Sequence, residues 1–236
     1  MSSNWDNIPH LSTQSFAALI NMAGKQRMLS QRICMLILNQ HMLVSDNKSD
    51  DLNKLQHALH EFENNFLSLI DGDNTREIPK IETLNLTEKL ETDGARQLIV
   101  SFIAESKQLY GILSDRIKID EAVLSRYVRW TATEILTTLD QLTQLYQLAS
   151  KEYNDDMTKR LDGQRQNVLK ALQSIKKIVR QVDIVTINSK IIAGKSGDAG
   201  KQFKVVVDRL QKLNDEIEVA SEQVVNYLEN TLKIDR

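Results

Sequence analysis

Proline is nearly missing from this chain, with two in 236 residues, and glycine occurs only eight times. Proline removes an amide donor and glycine adds backbone entropy, so both weaken helices. Their scarcity beside abundant Leu, Gln, Glu, Lys and Ala predicts helices throughout. The one cysteine excludes an internal disulfide, and its place in an apolar helical pattern points to a buried, inert thiol. Excess positive charge is missing too. The formal net charge is −2, and no stretch clusters basic residues as a phosphate backbone requires, which argues against a nucleic-acid partner. No run approaches the ~20 apolar residues that cross a bilayer. The start, Met-Ser-Ser-Asn-Trp-Asp, lacks the basic opening and apolar core of a signal peptide. A soluble, cytoplasmic protein without a membrane span is expected.

Hydrophobic residues make up 41% of the chain, enough to bury a core in one or two domains. The organising stretch is Asn21 to Asn39, a helical pattern that is apolar almost all the way round yet keeps two arginines. At about 100° per residue, Asn21, Met28, Arg32, Met35 and Asn39 share one face, and Ile20, Arg27, Gln31, Cys34 and Leu38 share another. A helix with several apolar faces is expected to pack in its own bundle and against a second subunit, enclosing at least one guanidinium that then needs an anion. The alternative is that Arg27 and Arg32 pair with acidic residues across a helix interface.

The run NMAGKQRMLSQR over residues 21–32 resembles the signature of the N-terminal sensor domain of type IV pilus chemotaxis transducers, the PilJ-type domain. It is similar also to the shorter box of nitrate and nitrite sensor kinases. The resemblance implies a motif on the first helix of a four-helix bundle, with symmetry-related copies meeting so that a motif arginine holds a small oxyanion, nitrate or nitrite, between two subunits. Carried over by position, Arg32 becomes the direct ligand, Arg27 its support, Gly24 the point of close approach and Met28 a further lining residue. Domains of this type usually lie outside the membrane, from which the expected cytoplasmic location departs.

Ser12 or Thr13 is placed to cap the first helix, which is expected to reach about Val44. Met1 to Leu11 reads as polar and frayed. Ser45 to Asp51 reads as a turn, with Ser49 or Asp50 capping the second helix. That helix carries the seam Leu52, Leu55, Leu59, Phe62, Phe66 and Leu69 and ends near Asp71. A connection containing Pro79 follows, with a short helical turn around Ile81 to Leu84. Leu98, Phe102, Leu109 and Leu113 line a third helix; Leu124, Val128, Ile135, Leu139, Leu142, Leu145, Tyr146 and Ala149 begin a fourth. No breaker but Gly163 then appears before Ala193. The bundle is assigned to residues 12–155.

Residues 156–236 read as an antiparallel hairpin with its tip near 194–200. One arm carries Leu161, Val168, Leu172, Ile175, Val179 and Val182, becoming small at Thr186, Ser189 and Ala193. The other carries Phe203, Val206, Leu210, Leu213, Ile217, Ala220, Val224 and Tyr227. One hairpin cannot cover both seams, so two are expected to pair as a four-helix bundle in a homodimer. Residues 187–213 resemble the cytoplasmic tip of methyl-accepting chemotaxis proteins, through Asn188, Ile191, Ala193, Gly197, Gly200, Phe203, Val205, Val206, Asp208, Lys212 and Leu213. Lys195, Asp198 and Lys201 match in charge. The resemblance implies contact with a coupling protein or histidine kinase through Asn188, Ile191, Lys195 and Phe203. Ile192 stands where that family has glutamate, Lys190 replaces a small residue, Gly194 an alanine and Gln202 a glycine, and the arms are short. The hairpin is therefore read as a degenerate or specialised one.

Other chemistry is set aside. The loop from Ala193 to Lys201 looks like a phosphate loop, but Ser189 stands where that pattern needs glycine and no strand precedes it. His57, His60 and Glu61 have a spacing that could hold a metal, yet lie opposite the apolar seam of their helix. Met28, Met35 and Met42 form a stripe read as core or dimer packing. No nucleophile, base and orienting acid stand at a readable spacing. The expectation is an all-α, non-enzymatic sensor with neither cofactor nor metal. The alternative is a ligand-free adaptor or decoy of a chemosensory or pilus-signalling assembly.

Overall fold

The computed structural model describes Trp5, Ile8, residues 11–42 and residues 48–234. Helix α1 (Thr13–Met42) starts at a reciprocal cap. The Ser15 amide donates to Ser12 Oγ at 3.1 Å and the Ser12 amide to Ser15 Oγ at 2.7 Å, satisfying two donors that no helical carbonyl can reach. Val44, the expected end, lies outside the described residues. Helix α2 (Lys48–Asp71) begins earlier than the expected cap at Ser49 or Asp50. Gly72 ends it at φ +74°, where a Cβ would sit 2.9 Å from the Lys80 amide nitrogen, so only glycine lets the chain fold back here.

The connection forms α3 (Leu84–Thr87) and a first π-helical turn (Glu88–Thr92), further along the chain than the turn expected at Ile81 to Leu84. Helix α4 (Ala95–Ser114) follows. Helix α5 (Glu121–Trp130) is capped by Asp120, whose carboxylate accepts from the amides of Ala122 and Val123. A second π turn (Thr131–Ile135) joins it to α6 (Leu136–Lys195), which runs through Gly163 without a break, and α7 (Gly197–Ile234) returns. The fold is all-α; among the described residues the only β pairing is an isolated bridge between Asp73 and Ile78. No described helix is long and apolar enough to cross a membrane.

The chain divides into two compact units, Met1–Asp156 and Met157–Arg236. In the first, α1 packs on α2 and on the second π turn, and α2 packs on α4, which also meets that turn. The buried interior takes Leu19, Leu29 and Ile33 from α1, Leu55, Phe62 and Phe66 from α2, Ile99 and Phe102 from α4, Tyr127 from α5, Ile135 from the second π turn and Leu139 from α6. These recur at three- and four-residue spacing, which keeps one face of each helix inward. Trp5 departs from the frayed start expected of Met1 to Leu11, because its ring meets Phe16 and Tyr153 edge-on, each at 6.0 Å.

In the second unit the two arms meet along rows of every seventh residue. Leu172, Val179, Thr186 and Ala193 are buried on one arm, and Gly200, Val207, Asn214 and Ser221 on the other. Small residues at the turn end let the backbones approach so closely that a Cβ on Gly200 would lie 2.0 Å from the Ala193 carbonyl oxygen. Asn214 donates to the Val179 carbonyl at 3.0 Å and to Asp183 at 2.7 Å, setting the register.

The bulkier heptad seam of the return arm lies outside this contact: Phe203, Val206, Leu210, Leu213, Ile217, Val224 and Tyr227 are all exposed in the single hairpin, which was expected to leave part of its seams uncovered. The physical reason is that residues as small as Gly200 and Ser221 permit a closer helix contact than the bulky seam does.

Candidate functional site

Within α1 the motif divides its side chains by direction. Ala23, Gln26, Leu29, Ser30, Ile33, Cys34 and Ile37 are buried. Two of these are polar, and sequence reasoning overlooked them as structural. Gln26 donates from Nε2 to the Phe62 carbonyl of α2 at 2.8 Å, and Ser30 Oγ donates to the Arg27 carbonyl at 2.8 Å. The signal was available, since Gln26 stands three residues before Leu29 and seven before Ile33, on the core face. Cys34 is buried, and desolvation raises its thiol pKa against a smaller opposing hydrogen bond with Thr131. An inert thiol is the chemical result.

The motif's three cations take different directions. Lys25 bonds to Glu61 of α2; that bond, aided by the charges of Lys25, His57 and Arg32, outweighs desolvation and lowers the Glu61 pKa. Arg27 reaches α6, with Nε 2.7 Å from Asp140 Oδ1. The alternative of a cross-helix ion pair therefore holds for Arg27. Arg32 is exposed and makes no ion pair among the described residues. Enclosure of a guanidinium was expected from a second subunit, and within one chain the face that carries Arg32 turns away from the bundle. A Cβ on Gly24 would meet nothing within 4 Å, so close approach at Gly24 is not a demand of this chain's own packing.

The exposed positions form a continuous line. Asn21, Lys25, Met28, Arg32, Met35, Asn39 and Met42 are exposed at alternating spacings of four and three. Met28, Met35 and Met42 are 55%, 61% and 74% exposed, which removes them from the core and leaves a coiled-coil seam without an occupant in the chain itself. Arg32 sits in this seam between Met28 and Met35.

Elsewhere, Asn188, Ile191, Lys195 and Phe203 are all exposed on the hairpin, Asn188, Ile191 and Lys195 on the first arm and Phe203 on the second. Ser196 and Gly197, at φ +61°, make the turn between them. His57 and His60 are exposed, and His60 Nε2 lies 2.9 Å from Asn64 Nδ2. Among the described residues no group of three His, Cys, Asp or Glu side chains is placed to hold a metal.

Residues 12–95 match the family described as "Type IV pili methyl-accepting chemotaxis transducer N-term". The chain is 32% identical over 89 residues to Protein PilJ of Pseudomonas aeruginosa, a match covering 38% of this chain and 12% of that protein. It is 24% identical over 95 residues to the putative sensory transducer protein YvaQ of Bacillus subtilis, covering 40% of this chain and 16% of that one. The chain thus spans less than a fifth of the length of these relatives. No solved structure matches. The family match takes in α1, its motif and the helix packed on it, so residues 12–95 are similar to the N-terminal region of type IV pilus chemotaxis transducers, a likeness that supports a role in signal transduction.

Proposed function

We propose that the protein is a homodimeric sensor that holds a small planar oxyanion, nitrate or nitrite, between the α1 helices of two copies. The observation that carries this reading is the exposed seam of α1, with Arg32 between Met28 and Met35. Apolar side chains at heptad spacing favour a second helix. In a two-fold pair the same patch meets itself, which brings two guanidinium groups together. Like charges in a partly dry seam repel, and a planar anion that accepts hydrogen bonds from both relieves the repulsion. Binding then favours one relative placement of the two helices, and any difference in affinity between placements shifts their populations. Arg27, through Asp140, ties the same motif to α6.

Calorimetry with nitrate tests the proposal. Binding is expected for the native chain and not for Arg32→Ala, whose helix content should be unchanged because Arg32 is exposed and makes no ion pair among the described residues. Unchanged nitrate binding in Arg32→Ala refutes the ligand role.

The exposed apolar seam of α7 favours a second reading, an adaptor that works through its hairpin, with a second hairpin or a chemotaxis coupling protein or kinase as the occupant. Thermal melting with a panel of oxyanions separates the two, since no shift with any anion favours the adaptor. A pull-down with a coupling protein, comparing the native chain with Phe203→Glu, tests the partner surface.

A further inference from the structure

A groove of about 420 Å³ opens along α4, α5 and the second π turn, apart from the motif face of α1. Its floor is an aromatic cluster. Tyr127, fully buried, stacks on Phe102 with ring centres 6.0 Å apart and planes 9° from parallel, and its hydroxyl lies 2.7 Å from Ser106 Oγ. Trp130 leans on Phe102 at 6.1 Å and on Tyr127 at 6.5 Å, and stays partly exposed to the groove. Such a floor is held by packing on α4.

The π turn forms one wall. A π turn costs helical regularity and recurs at binding sites. This one is supported by two threonines, Thr131 Oγ1 donating to the Tyr127 carbonyl and Thr133 Oγ1 to the Arg129 carbonyl, each at 2.8 Å.

Around the indole stand Arg126, Arg129, Glu105 and Glu134. Opposite charges that approach one another elsewhere in this bundle close into ion pairs, as Lys107 does on Glu63 and Arg27 on Asp140. None of these four makes an ion pair among the described residues. Two cations and two anions that line one groove around an aromatic face without closing into ion pairs suit a ligand with both charges. A simple anion would meet the carboxylates, and a simple cation the guanidinium groups. We infer that the groove binds a small zwitterion of the amino-acid type, its carboxylate on Arg126 and Arg129, its ammonium on Glu105 or Glu134 and against the indole of Trp130. The volume lies in the range of small-molecule pockets.

The indole supplies the readout. The sequence has two tryptophans, and Trp5→Phe keeps an aromatic ring at the other while leaving Trp130 as the one reporter. In this background a panel of L-amino acids is titrated against indole fluorescence, with acetate and methylammonium as singly charged controls. At least one amino acid is expected to give a saturable change that neither control reproduces, weakened at least tenfold in Arg126→Ala/Arg129→Ala. Both arginines are exposed, so a far-ultraviolet spectrum should show the double variant folded. No saturable change with any amino acid, an equal change with acetate, or a response that survives in the double variant overturns the inference. None of these outcomes depends on nitrate or on Arg32.

Discussion

Arg27 of the motif and Asp140 of α6 form an ion pair, Nε to Oδ1 at 2.7 Å, and both side chains are nearly half exposed, at 46% and 45%. Water and salt screen such a pair, so its worth to stability is small, about 0–1 kcal/mol. Its weight lies in what Arg27 is kept from doing. On the proposed reading Asp140 competes with the anion for this guanidinium, and Asp140→Asn releases it. The variant is expected to melt close to the native temperature and to bind nitrate up to about fivefold more tightly, which corresponds to about 1 kcal/mol. Calorimetry checks both; weaker nitrate binding in Asp140→Asn would count against a supporting role for Arg27.

The α1 seam makes a second prediction. Met35 is 61% exposed in the single chain, so Met35→Lys leaves the bundle intact and places like charges together where two copies meet. Light scattering is expected to show a dimer for the native chain and a shift toward monomer for the variant. Equal masses for the two would remove this seam from the interface.

Two glycines should respond oppositely to alanine. At Gly200 the new Cβ would lie 2.0 Å from the Ala193 carbonyl oxygen, forcing the arms apart, and overpacking of this kind costs about 1–3 kcal/mol or more. At Gly163, inside α6, the Cβ meets nothing within 4 Å, so alanine is expected to stabilise by about 0.5–1 kcal/mol through backbone entropy. Thermal denaturation followed by circular dichroism reads both signs.

Tyr146 joins elements far apart in sequence, its hydroxyl donating to the Leu69 carbonyl at 2.6 Å near the end of α2. Carbonyls in the last turn of a helix lack a helical partner. Tyr146→Phe leaves this one buried and unpaired and is expected to cost about 1–3 kcal/mol in urea unfolding.

Alkaline pH should expose the same chemistry. Burial raises the phenol pKa of Tyr146, and that of Tyr127 more than its bond to Ser106 lowers it, from an ordinary 10.0. The folded state then holds these protons where the unfolded chain would release them. Their contribution is complete below pH 10 and lost as pH rises above it. Glu61 acts in the opposite direction. Its lowered pKa, from an ordinary 4.5, gives a contribution present above that value and lost as pH falls below it, kept small by solvent screening. Urea midpoints across the pH range check both slopes; a midpoint that rises above pH 10 would contradict the first.

The periodicity that keeps Leu55, Leu59, Phe62, Phe66 and Leu69 on one side of α2 is a property of consecutive residues, so those buried positions were legible in the sequence alone. The same holds for Phe102, Leu109 and Leu113, and for the dense motif that the family match takes in. Periodicity could not rank competing apolar faces. On α7 it picked Phe203, Val206 and Leu210, which are exposed, over Gly200, Val207 and Asn214, which are buried. Hydrophobicity rewards bulk, whereas the closest helix contact rewards smallness.

The amino-acid sequence by itself determined the main helices, their approximate ends, a hairpin tip within residues 194–200, and the motif with its two arginines, because each depends on local spacing and backbone chemistry. Only the tertiary structure decided that Arg27 faces Asp140 while Arg32 faces outward, that Gln26 is buried against Phe62, and that the charges around Trp130 share one groove. Those facts depend on which helix lies beside which. Partners separated by as many residues as Arg27 and Asp140 leave no periodic trace in a single chain.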